Sequence, residues 1–109
     1  QGDVLTAAPQ IEEAGSTKLD LNFADAMVYP NPSTGDNITI NLNNIDASAE
    51  QGVIEVTDFV GRTVASFQIT LSGSTHQEVI NLSHLASGTY LMNINVNGTV
   101  MTEKIVIAQ

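Results

Sequence analysis

Hydrophobic and polar positions alternate with a period of two along most of this chain, the pattern of strands that bury one face. It is clearest near the end. Tyr90, Met92, Ile94 and Val96 alternate with Leu91, Asn93 and Asn95, and after Asn97-Gly98 the apolar residues Met101, Ile105 and Ile107 resume the alternation, interrupted only at position 103. Asn-Gly allows positive φ at both central residues of a tight turn, which matches the twist of two antiparallel strands. With that turn, Val96 faces Thr99, Ile94 faces Met101 and Tyr90 faces Ile105. One face of the hairpin then carries Tyr90, Met92, Ile94, Val96, Met101, Ile105 and Ile107. The other mixes Asn93, Asn95, Thr102 and Lys104 with Leu91, Val100 and Val106. A hairpin alone is marginal in water, so the rest of the chain must cover the apolar strip.

Upstream, Asn37 to Asn43 alternates strictly, with Ile38, Ile40 and Leu42 inward, as a half-buried antiparallel strand does. Met27-Val28-Tyr29 runs into Pro30-Asn31-Pro32; two prolines without backbone donors belong at an edge strand or its end. Ile45 to Gln51 reads as a polar connection and Val53 to Thr57 as the next strand. Asp58-Phe59-Val60-Gly61 closes it as a hairpin turn. Asp bonds the backbone two residues on, and Gly accepts positive φ at the fourth position. The return strand, Arg62 to Ile69, changes phase between Val64 and Phe67, which predicts a bulge. Ser72-Gly73-Ser74 is a further turn, followed by Gln77 to Leu82 with Ile80 and Leu82 inward. Residues 1–24 show little periodicity and read as a linker or arm. The alternation of Leu19, Leu21 and Phe23 allows a short extended segment there.

No stretch sustains a helical period; Ser83 to Ser87 has room for one turn. The pattern predicts an all-β fold, an immunoglobulin-like antiparallel sandwich of about seven strands over 25–109. Its core is expected to hold Ile38, Ile40, Ile54, Val56, Ile80, Tyr90, Met92 and Ile94. Tyr90 sits where such sandwiches place a corner tyrosine bonded to upstream backbone, although an ordinary core aromatic fits equally. Gly88 is expected to occupy a conformation or a close approach that a side chain would spoil.

Composition narrows the chemistry. Twelve acidic residues against three basic ones give a formal charge of −9, which argues against nucleic acid and anionic membranes as partners. The chain has no cysteine, which removes disulfides, thiolate metal sites and cysteine nucleophiles. No apolar run approaches the ~20 residues of a spanning helix, so no membrane insertion is expected. The first residues carry no signal-peptide pattern, and a start at Gln1 favours a fragment of a longer protein. His76 and His84 lie in polar connections, outside any nucleophile-elbow or zinc-helix setting, so no enzyme activity and no catalytic residue is expected. Asp36-Asn37 and Asn43-Asn44-Ile45-Asp46 offer oxygen ligands but lack calcium-loop spacing. They read as solvated turns, with no metal and no cofactor expected. The paired prolines either blunt an edge strand or form a rigid recognition knob beside Tyr29.

Taken in order, these stretches resemble the type A C-terminal sorting domain of type IX secretion substrates in the Bacteroidota. The resemblance rests on Val28-Tyr29-Pro30-Asn31-Pro32, Ile38-x-Ile40 and Asp58-x-x-Gly61-Arg62-x-Val64. It continues through Leu82-x-x-Leu85-x-x-Gly88-x-Tyr90 and Lys104-Ile-Val-Ile. It implies a non-catalytic signal carried behind an upstream cargo domain, with residues 1–24 bordering the junction. Its implied partners are the type IX translocon and the outer-membrane shuttle and sortase proteins. The implied route is periplasmic transit, then delivery to the outer-membrane surface or secretion, with removal by the sortase on surface attachment. The recognition residues it implies are Tyr29, Pro30, Asn31, Pro32, Gly61, Gly88, Tyr90 and Lys104. Many members end on a basic residue, whereas this chain ends Ile107-Ala108-Gln109. The rival reading is an adhesive or carbohydrate-binding sandwich, for which a chain with 5% aromatic residues and no Trp has few ring platforms.

Overall fold

The computed structural model describes residues 23–109, and these form seven strands and no helix. In chain order the strands are β1 Asp25–Tyr29, β2 Ile38–Asn43, β3 Gln51–Thr57, β4 Thr63–Thr70, β5 His76–Ile80, β6 Gly88–Val96 and β7 Thr99–Ile107. They make two antiparallel sheets, one ordered β1-β2-β5 and the other β4-β3-β6-β7. The predicted sandwich is what forms. The arm expected over residues 1–24 lies almost wholly outside the described residues; of it, Phe23 is exposed and Ala24 rests against the core.

Alternation explains which side chains meet between the sheets. Ile38, Ile40 and Leu42 of β2 face Ile54 and Val56 of β3 and Met92, Ile94 and Val96 of β6, all at most 2% exposed. Every core residue expected from the pattern is buried, Tyr90 and Ile80 included. Burying side chains of this kind is worth roughly 1.5–3 kcal/mol each, which is why period-two patterning is so strongly selected by the fold. The hairpin register also follows the turn: Val96 pairs with Thr99, Ile94 with Met101 and Tyr90 with Ile105. Asn97 and Gly98 both take positive φ, 53° and 91°.

The β3–β4 turn is built as Asp58 and Gly61 predict. The Asp58 carboxylate accepts the Val60 amide at 3.1 Å, and Gly61 has φ 93°. Val56 pairs with Ala65 but Thr57 with Thr63, so the extra residue is Val64 itself. That bulge restores phase and puts Phe67 opposite Ile54.

Two expectations need correction. Ile45 and Ala49 are buried, so the connection after β2 is not merely polar; it closes one end of the core, with the Ile45 amide bonded to the Ser74 carbonyl at 3.0 Å. Their polar neighbours hid them, since no periodicity operates in an irregular loop. Gly88 occupies no special conformation. A Cβ built there would meet its nearest neighbour, Cε1 of Tyr90, at 3.8 Å, an ordinary contact. The glycine that cannot take a side chain is Gly35. There φ is 97°, and a Cβ would come within 2.8 Å of the Leu82 carbonyl oxygen.

Candidate recognition surface

Sheet register sorts the connections into two poles. At one pole lie the residues around Ser33, the Asp58–Arg62 turn, the 81–88 connection and the end of β7. At the other lie Phe23 and Asp25, the loop 44–50, the Ser72–Thr75 turn and Asn97-Gly98. The second pole is tied together by Asp46. Its carboxylate accepts the amide and hydroxyl of Ser48 and the side-chain amide of Asn97 at 2.7 Å. Those bonds, the Ser48 hydroxyl foremost, hold its pKa below the usual aspartate value.

At the first pole, the segment after β1 is stitched to the outer edge of β7. Both prolines follow cis peptide bonds. Asn31 donates from Nδ2 to the Lys104 carbonyl at 2.8 Å and accepts the Val106 amide on Oδ1 at 2.9 Å. One side-chain amide therefore pairs with the strand edge as a backbone amide would. Ser33 extends the pairing through its own backbone: its amide donates to Val106 at 2.9 Å and its carbonyl accepts from Ala108 at 2.7 Å. The Ser33 hydroxyl is buried and accepts the Gly35 amide at 2.8 Å. Gly35 in turn accepts the Leu82 amide at 2.8 Å. Edge groups that would otherwise template strand addition are thus covered from Lys104 to Ala108.

The corner of Tyr90 lies beside this clasp. Its ring is buried, and its hydroxyl donates to the Ala86 carbonyl at 2.6 Å. Gln109 fastens the same connection. Its side-chain amide donates to the carbonyls of Ser83 and Leu85, and its backbone amide to the Ser87 hydroxyl. Across the sheet, Thr57 is level with Leu91, and Leu91 with Lys104. The turn after Thr57 therefore projects from this pole as well. There Asp58 holds the Arg62 amide at 3.0 Å and its Nε at 2.9 Å. These contacts, the Arg62 amide first, keep the Asp58 carboxyl below its ordinary pKa.

The expected recognition residues thus fall at or beside one end, in two groups. Tyr29, Pro30, Pro32 and Lys104 present exposed surface, as does Gly88. Asn31, Gly61 and Tyr90 build the pole: the amide of Asn31 is spent on β7, Gly61 turns the chain, and Tyr90 is internal. Tyr29 points away from the core and its hydroxyl accepts the Asn41 amide at 2.7 Å. Ser33, Gly35 and Gln109 escaped the sequence reading. Apart from the local bond between the Ser33 hydroxyl and the Gly35 amide, their partners are 22 to 75 positions away.

What the fold and this pole define is a small sandwich whose motif residues are gathered opposite the point where upstream chain enters. No group of three or more His, Asp or Glu side chains suited to a metal occurs among the described residues. The family model described as the secretion system C-terminal sorting domain matches residues 27–108. The chain belongs to that family, the C-terminal sorting signals of type IX secretion. No curated protein matches the chain.

Proposed function

We propose that the sandwich over 25–109 directs an upstream cargo protein across the outer membrane, and that the secretion machinery reads it at the pole formed by Asn31, Ser33, the Asp58–Arg62 turn, Tyr90 and β7. The sortase then removes the domain at a junction within or beside residues 1–24 as cargo reaches the surface. The domain acts as substrate and address, and no side chain of its own performs chemistry.

One observation carries the reading. Motif stretches separated by as much as 75 positions in sequence meet at one end, while Phe23 and Asp25 lie at the other. Along β6 the two poles are about 27 Å apart at the usual strand rise. A receptor can engage the motif end without meeting a cargo domain attached before β1. Within that surface, Tyr29, Pro30, Pro32 and Lys104 are the contact residues, and Gly88 leaves the ring of Tyr90 uncrowded.

The test is to fuse the 109-residue chain to an inert reporter in a host carrying type IX machinery, and in the same host without it. Surface delivery in the first and periplasmic retention in the second is the expected result. A Lys104→Ala fusion that melts like the parent is expected to be delivered less well. Equal retention of the parent in both hosts would defeat the sorting reading and favour an adhesive module.

A further inference from the structure

Phe59 and Val60 are the central residues of the β3–β4 turn, and they stand 88% and 65% exposed. A single exposed apolar residue needs no explanation. Here two adjacent ones occupy a turn that polar residues would suit as well, so the fold does not require them. Their support is rigid. The Asp58 carboxylate accepts from the amides of Val60 and Arg62 and from Nε of Arg62. The Gly61 amide donates to the Asp58 carbonyl at 3.0 Å, and the Asp58 amide to the Arg62 carbonyl at 2.9 Å. An aromatic ring held on a fixed turn loses little freedom when it is covered, which is the condition for an effective anchor.

Charge distinguishes this tip from its surroundings. Arg62 and Lys104 are the only Lys or Arg among the described residues, and both lie on the pole of the tip. Leu91, 41% exposed, lies in the row between them. The opposite pole carries Asp25, Asp46 and Glu50 and, among the described residues, no Lys or Arg. At the pole of the tip, Asp36 and Asp58 stand with the two cations, Asp58 paired to Arg62 at 2.9 Å beneath an exposed guanidinium. A chain of net charge −9 whose two described cations stand beside an 88% exposed ring is complementary there to an acidic surface with an apolar centre. A membrane fits less well, because two apolar side chains insert little area and the acidic body is repelled by anionic headgroups.

We infer that Phe59 and Val60 are an anchor that inserts into an apolar socket on a protein of the secretion machinery, and that the rim of that socket is acidic and meets Arg62 and Lys104. This rests on the sorting function proposed above, of which it names the contact.

In the reporter fusion of the whole chain, the double variant Phe59→Ser, Val60→Ser is expected to melt like the parent, since neither side chain is buried. Its surface delivery should fall about tenfold or more, as when a central anchor is truncated. Phe59→Leu keeps an apolar plug and is expected to stay within about threefold of the parent. Lys104→Glu should lower delivery, and raised salt should narrow its gap from the parent. Delivery of the folded double variant at the parent level would overturn the anchor while leaving the sorting function intact. Loss with Phe59→Leu equal to that of the double variant would overturn the socket as well. If the parent fusion itself were not delivered, the sorting reading would fail and the anchor with it. Binding of the purified chain to phosphatidylcholine–phosphatidylglycerol vesicles, abolished in the double variant, would replace the protein socket by a lipid surface.

Discussion

Replacing Asn31 by alanine removes its two side-chain bonds to the edge of β7, at 2.8 Å to Lys104 and 2.9 Å to Val106, and leaves the backbone pairing of Ser33 in place. Each neutral bond is worth about 0.5–1.5 kcal/mol net. Both lie at an exposed edge, so water takes over the freed carbonyl and amide and no burial penalty is added. The expected loss is about 1–2 kcal/mol, or about 4–8 °C of melting temperature for each kcal/mol in a domain of this size. Hydrogen exchange offers a sharper measurement than melting. Val106 directs its amide to Asn31, whereas Ile105 and Ile107 alternate toward β6. Asn31→Ala should therefore speed exchange at Val106 while Ile105 and Ile107 stay protected. Asn31→Asp keeps the acceptor for Val106 but sets a carboxylate oxygen against the Lys104 carbonyl. It should be at least as destabilising at neutral pH and recover once the carboxyl is protonated. Unchanged exchange at Val106 in the alanine variant would refute the clasp.

Tyr90→Phe removes only the bond to the Ala86 carbonyl and should cost about 1 kcal/mol in denaturant titration, whereas Tyr90→Ala should cost about 3–5 kcal/mol. Gly35→Ala and Gly88→Ala should part company in the same titration: the first is strongly destabilising because of its φ and the Leu82 carbonyl, while the second is neutral or stabilising by about 0.4–1 kcal/mol. The carboxyls of Asp46 and Asp58 are both depressed in the folded state. Their contribution is present above the unfolded aspartate pKa near 4 and is lost as pH falls through their lower folded values. Asp58→Asn should flatten the acid limb of the stability profile, measured by melting across that range.

Elements whose causes are local were legible in the sequence. Asn97-Gly98 sets its own turn and, with it, the register of β6 and β7. Asp58 and Gly61 do the same for β3 and β4, and alternation picks out Ile38, Ile40 and Leu42. Tyr90 was legible because a corner tyrosine bonds only four residues back. Asn31 was legible only as the residue between two prolines, read either as blunting an edge strand or as a recognition knob, and nothing near it announces a partner more than seventy positions away. The burial of Ile45 and Ala49 depends on where a loop is folded down, and period-two reasoning has no purchase there. Gly88 misled because a glycine beside a corner suggests strain, whereas the ring of Tyr90 merely passes alongside it. The gathering of the motifs at one pole follows from sheet order, which alternation does not encode.

The clasp between Asn31, Ser33 and β7 also has a bearing on time. Its halves are the first and last parts of the sandwich to leave a ribosome, and each is incomplete without the other. Closing so long a loop is slow relative to forming the adjacent hairpins. A chain broken off before Lys104 has the prolines, the turns and most of the core, yet leaves the Asn31 side chain without either partner on β7. The finished pole is thus a physical record that synthesis has passed through β7, written into the domain before any receptor touches it.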